Sequence, residues 1–138
     1  MKTLLVLVML CYGMLVSAQE PVEAFYESGN AFVRFCTAAD RVSDTKSSTN
    51  ADVQNALNCS LYVLGIVHAV EFEVAYSEKM TGKKPVQPFC VPDNVENGQI
   101  VKVVLKYIRA HPEEAHRHAG LLAMLALGEA YPYPCPAS

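Results

Sequence analysis

Apolar positions recur every three to four residues over most of the chain, and no stretch shows the strict alternation of a strand. Four helices are predicted. The first spans residues 22–40, with Val22, Phe25, Tyr26, Gly29, Phe32, Val33 and Cys36 at helical spacing and a weak point at Gly29-Asn30 that allows a close helix contact. Residues 41–50 are polar and read as a loop, and Thr49-Asn50-Ala51-Asp52 has the look of a helix start.

The second helix is predicted over residues 51–81. Val53, Leu57, Leu61, Leu64, His68 and Phe72 make one stripe, widened by Val63, Val67, Val70 and Val74. A helix apolar over so much of its girth is expected at the centre, with His68 as a core or interface histidine. Gly82-Lys83-Lys84-Pro85 ends it through a left-handed cap, cations at the negative helix end and a proline stop. A loop over 86–98 carries Cys90. The third helix covers 99–110, with Ile100, Val104 and Ile108 on one face and Val101 and Leu105 beside it. His111-Pro112 breaks the pattern. A fourth helix is predicted from Pro112 to about residue 130, with Glu113 and Glu114 in its first turn and Ala115, Ala119, Leu122, Leu125 and Ala126 inward. The expected architecture is all-α: a compact bundle of about four helices clipped by two disulfides.

The N-terminus follows a different pattern. Lys2 precedes an apolar run over residues 4–16, and Val16-Ser17-Ala18 is a small-residue cleavage box. That is the layout of a secretory signal peptide over residues 1–18, leaving a domain over 19–138. The run is short for a membrane span, so no membrane attachment is expected after cleavage. Losing Lys2 moves the formal charge from −3 to −4. The full chain has 51% apolar and 18% charged residues, and the roughly 120 residues left after cleavage are enough to build a real core. The acidic balance argues against a general nucleic-acid binder, and the absence of tryptophan removes a Trp-based sugar platform.

Export also changes the reading of the cysteines. Of five, Cys11 falls in the leader, which leaves Cys36, Cys59, Cys90 and Cys135 for an oxidising compartment. Four cysteines allow three pairings. Cys36–Cys59 with Cys90–Cys135 is expected, because it clips each half of the chain onto itself, each bridge being worth about 3–4 kcal/mol of loop entropy. There is no CxxC, so neither a zinc knuckle nor a thioredoxin-type redox motif is supported.

Candidate chemistry is sparse. No HExxH, G-x-S-x-G or glycine-rich phosphate loop occurs. His111, His116 and Glu114 could form a metal site, but a helix-start cluster is the plainer reading, and no metal or cofactor is expected. Glu71 and Glu78 share a helix face and read as a solvated acidic surface. Asn58-Cys59-Ser60 matches a glycosylation sequon only by coincidence, since its centre is a half-cystine. The pattern is that of a binding protein, not an enzyme.

The second half has a recognisable order: Phe89-Cys90-Val91-Pro92, then QIVKVVLKYIRAHPEEAHRH over residues 99–118, then an Ala- and Leu-rich helix closing on Cys135. Gly29-Asn30, Phe35-Cys36, Cys59 and Tyr62-Val63-Leu64-Gly65-Ile66 agree with it in the first half. Together these resemble the Rap/Tai family of bacterial immunity proteins. Two departures stand out. Glu96 occupies a position where similar proteins usually have a capping threonine, so Asn94 or Asn97 is expected to cap instead. The tail reads Tyr-Pro-Tyr-Pro-Cys in place of Phe-Pro-Cys.

The resemblance implies a periplasmic, all-helical, often dimeric protein without catalytic activity. Such proteins block the substrate groove of type VI secretion amidases that cut peptidoglycan peptides. A disulfide-held loop would enter such a cleft at little ordering cost. The candidate segments are 86–98 and 109–114, with Asn94, Glu96, Asn97, His111, Glu113 and Glu114 as partner-binding residues. Two other functions compete: a periplasmic binding or chaperone-like module, and a metal-dependent enzyme built on His111, His116 and Glu114.

Overall fold

The computed structural model describes residues 24–43 and 48–134. The predicted leader, Val22 and Cys135 lie outside the described residues. Within them the chain forms five α-helices: α1 (Gly29–Cys36), α2 (Ala38–Ser43), α3 (Asn50–Thr81), α4 (Asn97–Ala110) and α5 (Ala119–Ala130). There is no strand among the described residues. The helices α1 and α2 are separated only by Thr37, so the four-helix layout holds with its first helix split. Thr37 bends the chain by donating its hydroxyl to the Val33 carbonyl and accepting from Arg109 at 3.0 Å. Arg109 also reaches Asp40 at 3.2 Å, which ties α2 to α4.

Two boundaries depart from expectation. Residues 25–27 form a turn, and α1 begins at Gly29 behind Ser28, whose hydroxyl accepts from the Ala31 N–H at 3.1 Å. Residues 112–117 are turns, and the last helix begins at Ala119, not at Pro112. One set of hydrogen bonds explains both. The Gly29 N–H donates to the Arg117 carbonyl at 2.9 Å and the Asn30 N–H to the Ala115 carbonyl at 2.8 Å. The carbonyls that a helix over 112–118 would use internally cap α1 instead. Gly29 is needed for this approach: a Cβ there would lie 2.4 Å from Leu122 Cδ1 and 3.0 Å from the Ala115 carbonyl oxygen. The weak point of the predicted helix is thus the first residue of α1, where the backbone passes too close to Leu122 and Ala115 to admit a side chain.

The ends of α3 match their sequence signals. Thr49 and Asp52 make a reciprocal capping box, with bonds of 3.1 and 3.0 Å. Gly82 closes the helix at φ 69. Only part of the broad stripe expected to be inward is so, namely Val63, Val67 and Val74 and, half-buried, Val70 and Leu64. The buried stripe is Cys59, Val63, Val67 and Val74, with Val70 half-buried, whereas Val53, Leu57, Leu61, His68 and Phe72 face outward. Leu61 is 59% exposed and Phe72 70%. The smaller side chains face inward because the disulfide Cys36–Cys59 holds α1 and α3 together on that side. By length and composition α3 could cross a membrane, yet one face packs against the rest of the bundle.

The core is otherwise as expected. Ile100, Val101, Val104, Leu105 and Ile108 are buried on α4. On α5, Ala119, Leu122 and Ala126 point inward together with Ala123 and Leu127, while Leu125 is exposed. Tyr62 of α3 packs edge-on against Phe25 and stacks with Tyr26, seating the turn that precedes α1. Burial pushes the Tyr62 hydroxyl above its ordinary pKa.

The disulfide Cys36–Cys59 is present as expected and is the one bridge seen among the described residues. Cys90 is not a free thiol, and its expected partner, Cys135, lies outside the described residues.

Candidate functional site

The six candidate partner-binding residues fall into two groups at opposite ends of α4. Fourteen residues at 1.5 Å each place the ends about 20 Å apart. At the N-terminal end, Asn94 lies in an exposed turn, Glu96 takes the N-cap position and Asn97 is the first helical residue. No side chain caps this helix, so the expected capping by Asn94 or Asn97 is not found. All three side chains are exposed. The loop beneath them is anchored by the buried Phe89 and by the Cys90 N–H, which donates to the Tyr131 carbonyl at 2.8 Å.

The C-terminal group is built by the turn over residues 111–118. His111 ends α4, with its N–H shared between the Tyr107 and Ile108 carbonyls. Its imidazole packs 4.4 Å from the Tyr107 ring, and Nδ1 lies 3.5 Å from Glu113 Oε1. Short-range bonds from Glu114 to His111 and from Arg117 to Glu114 keep the turn tight. Because the Ala115 and Arg117 carbonyls point inward to cap α1, the side chains of Glu113, His116 and Arg117 point to solvent. Arg117 pairs with Glu114 and holds that carboxyl below its ordinary pKa by hydrogen bonding. His118 caps α5, its Nδ1 accepting from the Gly120 N–H at 3.2 Å. It is therefore not a mid-helix residue, and Glu113 and Glu114 do not sit in a first helical turn.

A shallow pocket of about 210 Å³ opens beside this turn between α4 and α5, where Lys106 and Glu129 rim the Tyr107 and His111 rings. The arrangement suits contact with a polar surface: a fixed turn, three charged or titratable side chains outward, and an aromatic hollow next to them. Among the described residues no three His, Cys, Asp or Glu side chains converge as donors, and His111, His116 and Glu114 form no such group.

Sequence reasoning allowed an interface on the broad apolar girth of α3 but did not tell which of its faces is outward. The signal was present in Cys59: a half-cystine marks the inward face, and Val63, Val67, Val70 and Val74 follow it at helical spacing.

The described residues thus define a small, disulfide-clipped helical protein that presents two loop-built surfaces and an apolar ridge. The chain belongs to the Rap1a immunity protein family, whose model, described as Rap1a immunity proteins, matches residues 28–135. The match spans all five helices. No curated protein matches the chain, and no solved structure does.

Proposed function

We propose that this chain is an exported immunity protein that binds a type VI secretion amidase effector in the periplasm and covers its peptidoglycan-binding groove. The family match over residues 28–135 carries the reading. The signal-peptide pattern of residues 1–18 supports the compartment, and the disulfide Cys36–Cys59 suits an oxidising one. In this reading the protein acts by binding and not by catalysis, as a homodimer, with Asn94, Glu96 and Asn97 or His111, Glu113 and Glu114 against the effector. The second group is favoured by its rigidity, because a preformed turn loses little freedom on binding. Its acidic side chains would meet a basic cleft rim and raise the association rate more than the affinity.

The test is periplasmic co-expression with a candidate type VI amidase effector, followed by optical density. Protection that vanishes when residues 1–18 are deleted supports the reading. Lysis despite confirmed export refutes it for that effector. A chaperone-like module remains as a second reading because the exposed ridge of α3 would suit apolar clients. Suppression of aggregation across unrelated clients, without protection from the amidase, would favour it.

A further inference from the structure

We propose that the hollow between α4 and α5 is a binding site for an amino-acid zwitterion, a group with an ammonium and a carboxylate on one carbon. The site goes beyond the effector contact above, because its ligand is a small molecule or the end of a peptide and not a protein surface.

Three observations carry it. The first is charge. Lys106 stands on the α4 side of the hollow and Glu129 on the α5 side. Among the described residues neither joins an ion pair, with the other or with any third group. Opposite charges on facing walls, left unpaired, match a ligand that brings one charge of each sign. A simple anion would meet Glu129 as a like charge, and a simple cation would meet Lys106 in the same way.

The second is size. At about 210 Å³ the hollow is smaller than the ~300–1,000 Å³ pockets that hold drug-sized ligands. It takes one amino-acid-sized group. Ala110 and Ala130, one from each helix, line it with methyl groups only; both are exposed, so the mouth stays open.

The third is a preformed wall. The Tyr107 and His111 rings pack 4.4 Å apart, and His111 Nδ1 lies 3.5 Å from Glu113 Oε1. Tyr107 is half-buried against the core. The rings give the carbon atoms of a ligand a surface to pack on, and a wall already in place costs little to order. Two sources supply such a zwitterion: free amino acids, and the side-chain end of the diamino acid in cell-wall peptides.

The experiment uses the ¹⁵N-labelled chain purified with its disulfide intact. Alanine is titrated in, and amide shifts are followed by NMR. Saturable shifts are expected at Tyr107, Ala110 and Ala130, with a millimolar Kd. Alaninamide lacks the carboxylate and N-acetylalanine lacks the ammonium. Each is expected to bind about fivefold more weakly, the worth of one exposed ion pair. Lys106→Gln is expected to weaken alanine to the level of alaninamide without weakening alaninamide. Glu129→Gln is expected to do the same with N-acetylalanine. A merely structural role would not sort the ligands in this way, and both side chains are exposed, so neither change disturbs the fold. Ala130→Leu fills the mouth and is expected to abolish the shifts. For the source, an N-acetylated cell-wall tripeptide ending in diaminopimelate is titrated beside alanine. Tighter binding of the tripeptide assigns the site to cell-wall peptides, and equal or weaker binding assigns it to free amino acids. Shifts that fail to saturate with either ligand overturn the site. So do alaninamide and N-acetylalanine binding as tightly as alanine, or alanine binding unchanged in both Lys106→Gln and Glu129→Gln. Protection from the effector is read separately and stands or falls on its own.

Discussion

Replacing Gly29 with alanine adds one methyl group at the point where three elements meet. The new Cβ would lie 2.4 Å from Leu122 Cδ1, 3.0 Å from the Ala115 carbonyl oxygen and 3.2 Å from Ile108 Cγ2. Carbon atoms pack best at about 3.5–4.0 Å, so the overlap with Leu122 exceeds 1 Å. Leu122 is fully buried and cannot swing into solvent. The Ala115 oxygen is held by the Asn30 N–H. Relief must come from moving α1 away from the turn, at the cost of its two capping bonds. Overpacking of this kind costs about 1–3 kcal/mol. The better helix propensity of alanine returns less than about 1 kcal/mol at a first helical residue. The expected net loss is about 1–2 kcal/mol, or roughly 4–8 °C in Tm for a domain of this size. Thermal unfolding followed by circular dichroism measures it. Leu122→Ala in the Gly29→Ala background should cost less than Leu122→Ala alone, since the added methyl fills part of the cavity. Refutation would be a Gly29→Ala protein as stable as its parent, or a strictly additive double mutant.

Removing the disulfide with Cys36→Ser and Cys59→Ser should lower stability by about 3 kcal/mol, from the loop entropy of a sequence separation of 23, measured by urea unfolding. Asp52 is held down to about 2, mainly by the hydrogen bond from Arg41 and then by Thr49. A depressed carboxylate contributes stability that is complete above about pH 4 and is lost as pH falls towards 2. Urea midpoints should therefore drop over that window in the parent, and Asp52→Asn should flatten the drop. Arg109→Ala removes the links from α4 to Thr37 and Asp40 and should cost about 0.5–1 kcal/mol, read from the same denaturation curves. For the proposed effector contact, Glu113→Lys should slow association severalfold in surface plasmon resonance while leaving Tm unchanged, because its side chain is exposed.

The all-helical layout, the inward face of α4 and both caps of α3 were legible in the sequence, because each rests on a local signal: a 3.6-residue period, Thr49 with Asp52, or Gly82. The limits of the first and last helices were not. Pro112 followed by two glutamates has every local mark of a helix start, but the demand of α1 for carbonyl acceptors claims that backbone first. Only the fold brings residues 29 and 115 together. The faces of α3 were misread for another reason. Both sides of that helix are apolar, and the larger Leu and Phe residues drew the core assignment, whereas the tight α1–α3 contact at Cys36–Cys59 selects the valine side. Of the partner-binding candidates, Asn94, Glu96, Asn97 and Glu113 are exposed while His111 and Glu114 are half-buried, because the turn that ends α4 draws those two against Tyr107 and Arg117.

The two backbone bonds from Gly29 and Asn30 to the 111–118 turn also act as a built-in gauge of that turn. An amide proton exchanges with solvent only when its hydrogen bond opens. These two amides sit on α1, yet their protection depends on a turn more than eighty residues away. A partner seated on His111 and Glu113 would hold the turn shut and slow deuterium uptake at positions 29 and 30, although it touches neither. A partner seated on the Asn94–Asn97 end would leave both rates unchanged. Hydrogen exchange at two residues outside either surface thus reports which end of α4 is occupied.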